Sequence, residues 1–159
     1  MHHSKHLTVC SSVLALTLLA ATVSAQAEDV ARLGGGNPKS PIAQAVTVPE
    51  GYKTFYISGM PGGPAGDTHA QTVSSLAKIK DTLTALGLTF GDVVKATVFM
   101  VGDPAKDGEI DFPAMNQAWS EQFGTPQQPN KPARSTVKVA GLAGKGALVE
   151  IEMVAVKKN

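Results

Sequence analysis

The sequence predicts an α/β sandwich: one mixed β-sheet with two helices on one of its faces, in the order β-β-α-β-α-β-β. Two observations predict it. Segments of helical period alternate with runs of β-branched residues, and the strands that end the chain can each present one apolar face. The clearest case is residues 148–156. Strand side chains alternate with period two, so Val149, Ile151, Met153 and Ala155 share one side while Glu150 and Glu152 share the other.

The chain opens on a segment that does not belong to this fold. Residues 1–6 are short and basic, residues 7–23 are apolar, and Ala25-Gln26-Ala27 supplies the small residues of a cleavage site. This is the layout of a secretory signal peptide cut after Ala27, which predicts a periplasmic or secreted protein with no membrane attachment after cleavage. Cys10 lies ahead of most of the apolar run, not after it, so it does not read as a lipidated cysteine. Removing 27 of the 159 residues leaves 132, the length of one domain. With Lys5 lost, thirteen basic residues balance thirteen acidic ones, so the domain has no electrostatic footprint for nucleic acid. It also has no cysteine and a single histidine, His69, which argues against thiol chemistry, disulfides, a metal site or a serine–histidine triad. No cofactor is implied.

Residues 28–41, rich in glycine and proline, read as an irregular arm, and residues 42–159 as a single domain. Two strands over 43–48 and 53–58 are joined by the Pro49-Glu50-Gly51 turn, and residues 59–66, with four glycines and two prolines, form a loop. Thr68 and Gln71 have the spacing of a capping box. From there Val73, Leu76, Ala77, Lys80, Leu83 and Leu86 recur at helical spacing up to Gly87. Residues 92–101 read as a buried strand, and 102–110 as a polar surface loop. Asp111 caps a second helix with Pro113 in its first turn, and Met115, Trp119 and Phe123 form its packing stripe. An extended connector leads to the strand at 133–139, whose alternation sets Ser135, Val137 and Val139 against Arg134, Thr136 and Lys138. The more apolar set is expected inward. That choice puts Arg134, Thr136, Lys138, Glu150 and Glu152 together on the sheet's outer face, interleaved with Leu148, Val154 and Val156. A half-apolar outer face favours association of subunits.

The motifs Pro132-Ala133-Arg134-Ser135 and Glu150-Ile151-Glu152, with Ala155-Val156, Ile57-Ser58-Gly59, the strand 94–99 and Asn116, resemble the RidA (YjgF) family of enamine/imine deaminases. The resemblance covers the chain from about Ser40 onward. It implies a chorismate-mutase-like fold, a homotrimer with clefts between subunits, and cofactor-independent hydrolysis of short 2-imino or 2-enamino acids, such as 2-aminoacrylate, to 2-keto acids and ammonia. By the same resemblance Arg134 holds the substrate carboxylate and Glu150 orients the attacking water. Ser58, Gly59, Asn116 and Thr136 would line the substrate site. A guanidinium suits that task because it grips a carboxylate through two parallel hydrogen bonds. Ile42 and Thr136 depart from the family's usual tyrosine and frequent cysteine. The alternatives are a non-catalytic module that binds or senses small carboxylates on the same trimeric fold, and an endoribonuclease. Two arginines and few aromatics in a neutral chain weigh against the last.

Overall fold

The computed structural model describes residues 29–34 and 37–159. The leader expected over residues 1–27 and its cleavage site lie outside the described residues. The elements are β1 (Ala31–Gly34), β2 (Ala43–Thr47), β3 (Tyr52–Pro61), α1 (Thr68–Ala85), β4 (Val93–Met100), α2 (Phe112–Ser120), β5 (Ala133–Lys138) and β6 (Val149–Lys158). The six strands form one mixed sheet in the order β1-β2-β5-β4-β6-β3. Strands β4 and β5 run parallel, while β6 is antiparallel to both β4 and β3.

The core lies between this sheet and the two helices. Strand β6 contributes Val149, Ile151, Met153 and Ala155, all buried on one side as their alternation requires. Strand β4 adds Ala96, Val98 and Met100, and α2 adds Met115 and Trp119, with Phe123 just beyond it. Each such apolar side chain stabilises the fold by roughly 1.5–3 kcal/mol on leaving water. Trp119 and Phe123 stack with ring centroids 4.3 Å apart, and Trp119 Nε1 donates to the Pro41 carbonyl at 3.1 Å. The indole thereby has its polar atom bonded as well as its rings buried. Asp111 caps α2 as expected, its carboxylate accepting from Ala114 N at 3.1 Å.

Four expectations need correction. The arm over 28–41 is not wholly irregular: β1 pairs antiparallel with β2, and Arg32 Nη2 donates to the Gly91 and Val93 carbonyls at 2.9 and 3.3 Å. Its glycine content concealed a short Ala-Arg-Leu strand. Second, β2 and β3 are joined by a turn but pair with different neighbours, β2 with β5 at Ala43↔Ala133 and β3 with β6. Third, α1 is capped by Asp67, which accepts from Ala70 N at 2.9 Å. Gln71 is buried instead, donating to the Gly66 and Gly146 carbonyls and accepting from Leu148 N at 2.7 Å. The buried stripe of α1 is therefore Thr68, Gln71, Thr72, Ser75, Leu76, Ile79 and Leu83, leaving Val73 and Leu86 outside. Hydrogen-bonded polar residues hold positions where apolar ones were expected; Ser75 Oγ, for example, donates to the Met60 carbonyl at 2.6 Å.

The fourth correction bears on the site. Strand β5 takes the opposite parity to the expected one: Arg134 pairs with Ala96 and Thr136 with Val98, both of whose side chains face the helices. Val137 is left 41% exposed on the other side of the sheet. This parity sets the guanidinium against Asn116 and Trp119 of α2.

Candidate active site

The six expected site residues fall into two groups of three, on opposite faces of the sheet. Arg134, Asn116 and Thr136 lie on the helix side. Arg134 Nη2 donates to Asn116 Oδ1 at 2.9 Å, and its guanidinium carbon stands 4.7 Å from the Trp119 ring centre and 5.9 Å from that of Phe112. An aromatic face attracts a cation through its quadrupole, so these rings orient the guanidinium without neutralising it. Arg134 makes no ion pair with any described residue. Its Nε and Nη1 are buried with no hydrogen-bond partner, and so is Thr136 Oγ1. Burial lowers the pKa of the arginine to about 10, which still leaves it charged at neutral pH. A buried donor without an acceptor costs about 1–3 kcal/mol, a cost that an incoming oxyanion removes.

Ser58, Gly59 and Glu150 lie on the other face. Strand β3 bulges between Ile57 and Met60, where its register on β6 shifts, and the Gly59 backbone there lies against Glu150. The Glu150 carboxylate rests on the bare α-carbon of Gly59: a Cβ there would collide with Oε1 and stand 3.0 Å from Cδ. A side chain at this position would displace the Glu150 carboxylate; the backbone itself is unstrained, since its φ is not in the left-handed region. Because the colliding atom is the free end of a flexible side chain, Gly59→Ala is expected to cost no more than about 1 kcal/mol in urea unfolding while displacing the Glu150 carboxylate, and so to lower kcat more than stability. Beside Ser58 a hollow of about 220 Å³ is walled by Tyr56, Lys95, Thr97 and Glu152.

Sequence reasoning missed Trp119 and Phe112 as partners of Arg134. Trp119 was read as core, which it also is, and only the contact between elements reveals its second face. It also joined Arg134 with Glu150, which the parity of β5 separates by both strand and face. Among the described residues no group of histidine, cysteine and carboxylate side chains has the arrangement of a metal site, and no helix is long and apolar enough to cross a membrane.

One mixed sheet backed by two helices, its strands ordered as above, places the molecule in the class of chorismate-mutase-like α/β sandwiches. The chain belongs to the Endoribonuclease L-PSP family, the YjgF/RidA group, whose profile matches residues 37–157. It is 41% identical over 97 residues to the 2-iminobutanoate/2-iminopropanoate deaminase of Salmonella typhimurium, covering 61% of this chain and 70% of that protein. Over 124 residues it is 37% identical to the protein of the same name from Capra hircus, covering 74% and 80%. Among solved structures, YyfB of Yersinia pestis, of the conserved Rid family, superposes with a TM-score of 0.66 at 24% identity, covering 82% of this chain and all of that one. The crystal structure of E. coli TdcF with bound serine superposes with a TM-score of 0.55 at 30% identity, covering 77% of this chain and 96% of that one.

Proposed function

We propose that this protein hydrolyses short 2-imino and 2-enamino acids, in their imine form, to 2-keto acids and ammonia, outside the cytoplasm and as a homotrimer. The observation that carries the reading is the buried guanidinium of Arg134, fixed by Asn116 and Trp119 with two nitrogens that bond to nothing. A carboxylate suits those donors in charge and hydrogen bonding. The relatives named 2-iminobutanoate/2-iminopropanoate deaminase support the substrate class. The export rests on the residues at the start of the chain and on nothing else.

In the reaction, water adds to the imine carbon as its nitrogen gains a proton. The resulting carbinolamine loses ammonia as its hydroxyl gives up a proton. Atoms balance: imine plus water gives ketone plus ammonia. Arg134 holds the carboxylate next to the reacting carbon, and Glu150 takes and returns the protons while holding the water. Imines hydrolyse readily, so positioning plus one general acid/base group is enough. Arg134 and Glu150 point away from opposite faces of one sheet, which supports a cleft in which one protomer's Arg134 meets Glu150 of its partner. The exposed Tyr56, at 83%, and Val137 mark the face through which protomers associate.

A complementation assay tests this. Arg134→Ala and Glu150→Gln trimers are each expected to be nearly inactive, Glu150→Gln by about 10²–10⁴-fold in kcat. Mixed by unfolding and refolding together, they should regain about one quarter of wild-type activity, since a random partnership places both intact residues in one cleft that often. No recovery would mean that both residues act from one chain. Saturable carboxylate binding with no acceleration of imine loss by the wild-type protein would leave a binding module instead.

A further inference from the structure

At the end of the sheet where β4 begins, the start of β1, the first residue of β3, the last residues of β6 and the turn before β4 enclose a second cavity, of about 450 Å³. None of its lining residues belongs to the Arg134 or Glu150 groups. Its volume lies within the range of small-molecule sites, about 300–1,000 Å³. Three cations line it, Arg32, Lys157 and Lys158, with two carboxylates, Asp29 and Asp92. Both carboxylates are engaged. Asp29 accepts from Lys158 Nζ at 3.1 Å and from the Tyr52 hydroxyl at 3.4 Å. Asp92 Oδ2 accepts from Thr89 N at 2.7 Å and from Thr89 Oγ1 at 3.0 Å.

Arg32 has no such partner. Its Nη2 ties β1 to the Gly91 and Val93 carbonyls, but its Nη1 is buried with nothing to bond. Asp92 attracts it from beyond ion-pair distance, and burial, the larger effect, lowers its pKa. Lys157 Nζ reaches only a neutral acceptor, the Gly87 carbonyl at 3.0 Å. If Arg32 served only as a tie, one nitrogen would suffice, and a neutral glutamine would avoid burying a charge. The remaining walls, Val30, Val156 and the Tyr52 ring, suit the body of a small organic molecule.

We propose that this cavity is a second binding site, for a small molecule with an oxyanion head, which would sit against Arg32 with its body against Tyr52 and Val156, Lys157 adding positive charge from the helix side of β6. The head is a phosphate or a carboxylate, and the balance of three cations against two carboxylates favours one of low charge. The site is independent of the deaminase reading, because no residue is common to both.

The test is a titration of the full chain followed by backbone amide NMR, with inorganic phosphate, adenosine 5′-monophosphate and butyrate as probes. Saturable shifts are expected at Tyr52, Gly91 and Lys157 with at least one probe. Binding should weaken about tenfold or more in both Arg32→Lys and Lys157→Met, and stay unchanged in Arg134→Ala. Arg32→Lys keeps the charge and one tie to the turn, so loss of β1 does not confuse the result; Lys157→Met leaves the backbone pairing of β6 untouched. Preference for either phosphate probe assigns the head as phosphate, and preference for butyrate assigns it as carboxylate. Shifts that stay linear with all three probes, or affinity that survives both variants, would overturn the proposal. So would affinity lost in Arg134→Ala, which would place the anion at the first site.

Discussion

Arg134→Ala is expected to lower kcat/KM for 2-imino acid hydrolysis by about 10²–10⁴-fold, an effect on activity as large as that of Glu150→Gln. The magnitude follows from two charge-assisted hydrogen bonds of about 1.5–3 kcal/mol each, with 1.36 kcal/mol for each tenfold change in rate. Arg134→Lys should recover little, because a lysine offers a point charge where Nε and Nη1 offer a planar fork. The fall should appear while the fold persists, since alanine also removes the unbonded buried donors of the free protein. Unfolding in urea is thus expected to show a small change of either sign. Activity within tenfold of wild type would remove the central role given to this residue. A pH profile adds an independent check. Burial alone depresses the arginine's pKa to about 10, so its charge burdens the folded state below that pH and the burden lifts as pH rises through and beyond it. Carboxylate affinity runs the other way. It should be flat from about pH 6 to 9 and decline above about pH 10 as the guanidinium loses its proton.

Trp119→Ala is expected to carry the largest cost to the fold, about 3–5 kcal/mol. The indole is fully buried, stacks on Phe123, bonds the Pro41 carbonyl and presents its face to Arg134. Such a loss is a large share of the 5–15 kcal/mol that holds a domain of this kind together. Trp119→Phe separates the two duties of the side chain. It keeps an aromatic ring in the core and under the guanidinium but gives up the Nε1–H bond to Pro41. Stability is expected to fall by less than half as much as in the alanine variant, with KM for the imino acid changed only a few-fold. Urea unfolding and steady-state kinetics on the same preparations provide both readings. Equal stability loss in the two variants would mean that the hydrogen bond, not the ring, dominates.

How much of this was legible in the sequence depends on the kind of signal. Strand β6 was legible because four buried apolar residues alternate without a break against two glutamates, and no second parity fits. Strand β5 was not, because Ser135-Val137-Val139 and Arg134-Thr136-Lys138 are nearly equal candidates for the inside, and the contacts of Arg134 with Asn116 and Trp119 of the preceding helix α2 are not visible in the strand's own residues. The buried stripe of α1 was misplaced for a related reason: Gln71, Thr72 and Ser75 look like surface residues until their hydrogen bonds to Leu148 N, Thr68 O and Met60 O are seen. The motifs around Arg134, Asn116 and Glu150 marked candidate positions, and the structure adds which side of the sheet each occupies. Strand β1 was hidden by the glycines and prolines that flank it.

A sheet has an obverse and a reverse, and this one carries its arginine on one and its glutamate on the other. On the proposed reading, a solitary chain owns two half-sites and no whole one. If the halves meet only between chains, turnover per chain must collapse on dilution below the assembly threshold and return on concentration, with no residue altered. Catalysis in such a molecule is a property of its stoichiometry.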